Sequence, residues 1–127
     1  MVQTVDQAVA ALAVHNATRA TTISANAEEA RTFWARGRGL MLRGSFPDGA
    51  ALVIDPCSSI HMFFMRFPID VLYLDRHDRV VRVQGGIKPW RTGPLWTRGA
   101  KYVIELPVGT LERTQTDVGD QISLVRS

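Results

Sequence analysis

The sequence predicts a mainly β domain of the α+β class: a compact antiparallel β-barrel or sandwich with one main helix and one short helix. Three observations lead there. Short apolar runs of strand length recur through the second half, each stopped by Pro, Gly or Asp. Helical spacing is confined to one stretch around Phe33 and a brief one after Thr110. With 127 residues, of which 46% are hydrophobic and 21% charged, the chain can bury a core without staples and is too apolar to be disordered.

Taken in order, residues 1–10 read as an N-terminal extension and 11–127 as a single β-rich domain. From Leu12 to Ser24, Val, Thr and Ile predominate around His15-Asn16-Ala17-Thr18-Arg19, which predicts a strand, a turn and a second strand. Asn26 followed three residues later by Glu29 resembles a capping box for a helix starting near Ala27. Ala30, Phe33, Trp34 and Gly37 continue at helical spacing, and Gly37 and Gly39 end it. Ala51 to Ile54, Ile60 to Met65 and Ile69 to Leu74 are three further strand candidates, stopped by Asp55-Pro56 and Arg66-Phe67-Pro68. Asp75 to Asp78 is a polar turn, so Val71 to Val83 reads as a hairpin ending at Gln84. Gly85 to Gly99, with Pro89 and Pro94, has little periodicity and reads as a long loop, the kind that is usually functional or mobile. Tyr102 to Leu106 is a strand halted by Pro107. Thr110 can cap a short helix through Gln115, and Gly119-Asp120 turns into a last strand, Gln121 to Val125.

Charge and cysteine usage exclude several classes. Fifteen Lys+Arg against twelve Asp+Glu give a formal +3, spread along the chain, with a local group only at Arg36, Arg38 and Arg43. Nucleic-acid binding, which needs clustered cations, is not expected. No apolar run reaches the roughly 20 residues of a spanning helix, so no membrane is expected. Ala8 to Val14 could imitate a signal-peptide core, but no Lys or Arg precedes Arg19 and Asp6 sits in the would-be positive region. A cytoplasmic location is the resulting expectation. The single cysteine, Cys57, excludes an internal disulfide framework and a multi-cysteine zinc site.

Motif-like segments are spread over the chain. They include Asn16-Ala17-Thr18-Arg19, Phe33-Trp34-Ala35-Arg36, and Gly39-Leu40-Met41-Leu42-Arg43. The longest runs from Pro56-Cys57-Ser58-Ser59-Ile60-His61 through Met65-Arg66-Phe67-Pro68-Ile69-Asp70 to Asp75. Lys88-Pro89-Trp90-Arg91, Glu105-Leu106-Pro107-Val108-Gly109-Thr110 and Gly119-Asp120 complete the set. In this order they resemble the domain of unknown function 192 family, small bacterial and archaeal proteins without an established activity, from about residue 12 to the C-terminus. The resemblance implies a compact β-rich, barrel-like fold and supplies no substrate. Many relatives carry an export signal; by the charge pattern above, none is expected here.

Several residues could carry chemistry, each beside a plainer reading. Cys57, His61 and Asp70 are the residue types of a nucleophilic triad, a cysteine-dependent hydrolase in outline, although Cys57 can equally be a small buried hydrophobe. His61, Met62 and Met65, with Cys57, are soft ligands of the kind Cu(I) takes, but methionine beside Phe63 and Phe64 more simply fills a core. His15 and His77 fall in predicted turns, and no metal or cofactor is expected. Asp70, at a strand start among large apolar residues, needs an arginine such as Arg43 or Arg91, or turn N–H groups, to satisfy it. Trp90 and Arg91, with Trp96 and Arg98 beyond, offer a stacking surface and bidentate donors. Gly37, Gly39 and Gly44 fit neither the P-loop nor the dinucleotide spacing. The leading expectation is therefore a binding domain whose barrel mouth, lined by His61, Met65, Asp70, Trp90, Arg91 and Arg43, holds a small or extended ligand, anionic or carbohydrate-like. A cysteine- or metal-dependent hydrolase using Cys57 and His61, and a protein-interaction module, are the alternatives.

Overall fold

In the computed structural model the described residues are 12–30, 44–58, 66–89 and 97–126. They form seven strands and one helix in the order β1 (Leu12–Asn16), β2 (Thr21–Ala30), β3 (Leu52–Ile54), β4 (Ile69–Leu74), β5 (Val80–Ile87), β6 (Tyr102–Pro107), α1 (Thr110–Thr114) and β7 (Ile122–Arg126). One sheet holds all seven, in the order β5-β4-β6-β3-β2-β1-β7. Every neighbouring pair is antiparallel except β2 and β3, which run parallel from Glu28↔Leu52 to Ala30↔Ile54.

The sheet curls until its two edges meet at one end. An isolated bridge joins Arg79 to Gln121, and Val80 N–H donates to the Asp120 carbonyl at 2.9 Å while Gly119 N–H donates to the Val80 carbonyl at 2.8 Å. The result is a half-barrel. The helix α1 lies against β2, and Leu111 lies close to the Cβ position of Gly85 on β5.

Burial explains why the central strands show no clean alternation. All six residues of β4 and all six of β6 are buried, as in strands covered on both faces. The concave face packs Leu12, Val14, Ile23, Val53, Leu72, Leu74, Ile104, Leu106 and Ile122 into one core, with Leu111 of α1 against it. On the convex face Leu52, Ile54, Ile69, Val71, Tyr73 and Val103 form a second core, against which Phe46, Cys57, Phe67 and Ile87 pack.

Most sequence expectations hold, with corrections. Ile69–Leu74 and the Val71–Val83 hairpin are as expected. Asn26 to Ala30 is strand, not the first turn of a helix: parallel pairing with Leu52–Ile54 claims the backbone that the capping-box pattern reserved. The rest of that expected helix, and the Ile60–Met65 strand, lie outside the described residues. Gly85 to Ile87 extends β5 instead of opening a loop, with Gly86 at φ +62°. Thr110 does not cap α1. Gly109 is the N-cap, and the Thr110 hydroxyl donates to the Pro107 carbonyl at 2.7 Å. His15 lies within β1, bonded to the Thr22 hydroxyl, rather than in the turn.

Candidate functional site

Of the residues expected to line a site, His61, Met65, Trp90, Arg91 and Arg43 lie outside the described residues. The positions that flank them are described, and they meet in pairs. At one end of the convex face Thr97 N–H donates to the Ser58 carbonyl at 3.2 Å, and Cys57 N–H donates to the Lys101 carbonyl at 2.8 Å. At the other end Ile69 pairs with Ile87, with Phe67 beside Phe46 at a ring-centroid distance of 6.1 Å. Ser58 is thus next to Thr97, and Ile69 next to Ile87. The Thr97 hydroxyl is buried and has no hydrogen-bond partner among the described residues.

Beside the Ser58–Thr97 contact is an open depression of about 450 Å³ lined by Pro56, Cys57, Ser58, Ala100 and Lys101. Ala100 and Lys101 also line a second depression, of about 700 Å³, bounded by Asp75, Arg76, His77 and Gly99. Cys57 is half-buried.

On the convex face one cross-strand row alternates polar and apolar residues. Gln84, Val71, Glu105 and Leu52 are successive cross-strand partners on β5, β4, β6 and β3. In the adjacent row Tyr73 is fully buried, and its hydroxyl donates to Gln84 Oε1 at 2.6 Å. Burial pushes the Tyr73 phenol well above its ordinary range; the Cys57 thiol and the Glu105 carboxylate add to this, and Arg82 opposes it. Sequence reasoning placed Glu105 and Tyr73 only within motif segments and assigned neither a role. The signal for Glu105 was available: it is the one charged residue in the otherwise apolar run from Tyr102 to Pro107.

Asp70 belongs to the opposite, concave face. It is 2% exposed, and three backbone N–H groups converge on its carboxylate: Gly86 on Oδ1 at 2.8 Å, and Gly109 and Leu111 on Oδ2, each at 3.0 Å. Turn N–H groups therefore satisfy it. With Cys57 on the convex face, these two do not form corners of one triad. Among the described residues no group of three His, Cys, Asp or Glu side chains is placed to hold a metal ion, and no helix is long and apolar enough to cross a membrane.

A second polar knot explains two more motif segments. Asn16 is fully buried; its amide donates to Asp120 Oδ2 at 2.9 Å and to the Thr116 hydroxyl at 3.1 Å. Arg19 Nε and the Asp117 N–H also reach Asp120 Oδ2, at 3.1 and 3.0 Å. Burial alone would raise the Asp120 carboxyl, but hydrogen bonds from Asn16, Arg19 and Asp117, with the Arg19 charge, hold it below the usual range. The β1–β2 turn is thereby fastened to the turn before β7.

This geometry defines a class: a half-barrel β domain whose motif residues fasten turns around a sheet buried on both faces. The chain belongs to the family described as Uncharacterized ACR, the domain of unknown function 192 family, whose model matches residues 13–124. It is similar to a UPF0127 protein of Thermococcus sibiricus, 42% identical over 98 residues, covering 73% of this chain and 62% of that one. It is also similar to a UPF0127 protein of Pyrococcus abyssi, 39% identical over 103 residues, covering 77% of this chain and 85% of that one. The matched region spans less than two thirds of the Thermococcus sibiricus relative's length. Two crystal structures share the fold. A protein of unknown function from Novosphingobium aromaticivorans superposes with a TM-score of 0.75 at 22% identity, covering 89% of this chain and 83% of that one. A proposed transcription regulator from Sinorhizobium meliloti gives 0.76 at 21% identity, covering 90% and 92%.

Proposed function

We propose that this chain is a ligand-binding domain that holds a small or extended ligand, anionic or carbohydrate-like, on the convex face of its half-barrel. His61, Met65, Trp90, Arg91 and Arg43 are the contacting side chains in this reading. The observation that carries it is the pairwise meeting of the flanks, Ser58 with Thr97 and Ile69 with Ile87. Two motif-bearing segments therefore leave and rejoin the same face at common points. A buried Thr97 hydroxyl without a partner among the described residues adds support, because such a group costs about 1–3 kcal/mol unless something satisfies it. Asp70 acts by position: it fastens β5 to the start of α1 and does not touch the ligand. A Cys57 thiol that forms no disulfide suits a cytoplasmic, reducing setting.

The test is a thermal-shift and tryptophan-fluorescence screen of the whole chain against small sugars and small anions at about 10 mM, where millimolar affinities register. A saturable shift lost in both W90A and R91A supports the reading. A shift unaffected by either substitution, or no shift with any probe, overturns it.

A further inference from the structure

Where Ser58 meets Thr97, the backbone brings a turn and the entry to β6 together. Lys101 N–H donates to the Leu74 carbonyl at 2.7 Å, and the Lys101 carbonyl accepts from Cys57 N–H at 2.8 Å. Lys101 therefore sits between the Asp75–Asp78 turn and the segment that carries Cys57 and Ser58. Both depressions at this end share it. The one of about 450 Å³ lies beside Cys57 and Ser58, and the one of about 700 Å³ beside Asp75, Arg76 and His77.

Donors with capacity to spare line the larger depression. Arg76 is exposed, and its Nε donates to His77 Nε2 at 3.2 Å. Among the described residues its guanidinium forms no ion pair, and its two terminal nitrogens have no acceptor. Because arginine only donates, His77 Nε2 accepts. The neutral ring then carries its proton on Nδ1, which also has no acceptor among the described residues. Lys101 pairs with Asp55 at 3.4 Å, an exposed contact weak enough for the ammonium to take another partner. The opposing charge in the lining is Asp75. Its Oδ1 already accepts the N–H groups of His77 and Arg79, at 2.8 and 3.0 Å, and these bonds also hold the turn in place.

We propose that the larger depression holds the phosphate of a small phosphomonoester, with Arg76, His77 and Lys101 as its donors, and that the rest of the ligand extends past Lys101 toward Cys57 and Ser58. This rests on the ligand-binding reading above and selects its anionic branch. A guanidinium takes two phosphate oxygens side by side, and a phosphomonoester presents a third oxygen to the Lys101 ammonium or the His77 Nδ1–H. A carboxylate has only two oxygens for the three donor groups. A neutral sugar leaves the Arg76 charge without a counter-ion.

Isothermal titration of the whole chain with glucose 6-phosphate, glucuronate and glucose tests this. The expected result is saturable binding of glucose 6-phosphate, at least roughly tenfold tighter than either other probe, and at least roughly tenfold weaker in R76Q. R82Q, which removes an exposed arginine of the same hairpin outside both depressions, should bind as the wild type does. If R76Q loses its melting transition, K101Q carries the same test. Glucuronate or glucose binding as tightly as glucose 6-phosphate overturns the phosphate class. Weakening as large in R82Q as in R76Q reduces the effect to diffuse charge and overturns the site. Glucose 6-phosphate binding that survives R76Q, or K101Q where that variant stands in, but is lost in W90A and R91A overturns this inference and leaves the ligand-binding reading standing. Binding of no probe overturns both proposals.

Discussion

The carboxylate of Asp70, at the start of β4, accepts the backbone N–H of Leu111 in the first turn of α1 at 3.0 Å. The same oxygen takes the N–H of Gly109, and the other takes that of Gly86. Gly109 and Leu111 thus share one acceptor that lies 39 and 41 positions earlier in the chain, and it caps a five-residue helix too short to hold itself. Hydrogen bonds to a charged group contribute about 1.5–3 kcal/mol each and do not add fully, so D70A is expected to cost roughly 3–5 kcal/mol. D70N, which keeps an acceptor on one side only, should cost less. Urea denaturation measures both; a D70A loss under about 1 kcal/mol would show that the N–H groups find other partners.

Two adjacent glycines beside this carboxylate should respond differently. Gly86 has φ +62°, a region that costs other residues about 1–2 kcal/mol, so G86A is expected to lose about that much. Gly85 is not at positive φ, and an added Cβ would lie 3.7 Å from Asp70 Oδ1 and 3.9 Å from Leu111, ordinary contacts. G85A is therefore expected to be neutral or to stabilise by up to about 1 kcal/mol through the unfolded chain. Equal effects of the two substitutions in denaturant melts would remove the conformational explanation.

These contacts also mark how far the sequence could be read. The Ile69–Leu74 and Tyr102–Pro107 strands were legible because apolar, β-branched and aromatic residues end at Asp and Pro. Asp70 was legible as a group in need of partners, with turn N–H groups as one candidate, but which turns supply them was not, because backbone N–H donors leave no residue-type signal. The helix start at Ala27 misread a local capping pattern that parallel pairing with Leu52–Ile54 overrides. Glu105 could have been picked out as the one charge in an apolar run, yet its row with Val71 and Gln84 exists only once the register is fixed. Asn16 and Asp120 lie 104 positions apart, and nothing in either segment alone predicts that they bond.

The Asn16–Asp120 contact predicts an acid limb in the stability profile. The folded-state pKa of Asp120 is depressed, so its contribution is present above the unfolded carboxylate range and is lost as pH falls through the folded value. Stability of the wild type should therefore decline on the acid side more steeply than that of D120N, which cannot titrate at this position. N16A, which removes a buried donor and leaves the Thr116 hydroxyl without it, should cost about 1–3 kcal/mol near neutral pH and flatten the acid limb. Parallel acid limbs for wild type and D120N would show that Asp120 does not drive the decline.

The two tyrosines predict the alkaline limb. Tyr73 and Tyr102 are the chain's only tyrosines, both are buried, and both phenols are raised above the ordinary value of 10.0. For Tyr102, burial is the first cause, followed by its hydrogen bond to Asp78 Oδ1 at 2.7 Å. A raised folded-state pKa means that the unfolded chain loses these protons first. Stability is then fully present below about pH 10 and falls as pH rises from there toward the folded values. Phenolate absorbance near 295 nm should accordingly appear together with the loss of far-ultraviolet ellipticity, as one transition. A tyrosine that ionises near its ordinary pH while the sheet signal persists would mean that one phenol is solvated. In that case Y73F should remove the early signal if the convex face is open at Gln84, and Y102F should remove it if the Asp78 turn is the open one.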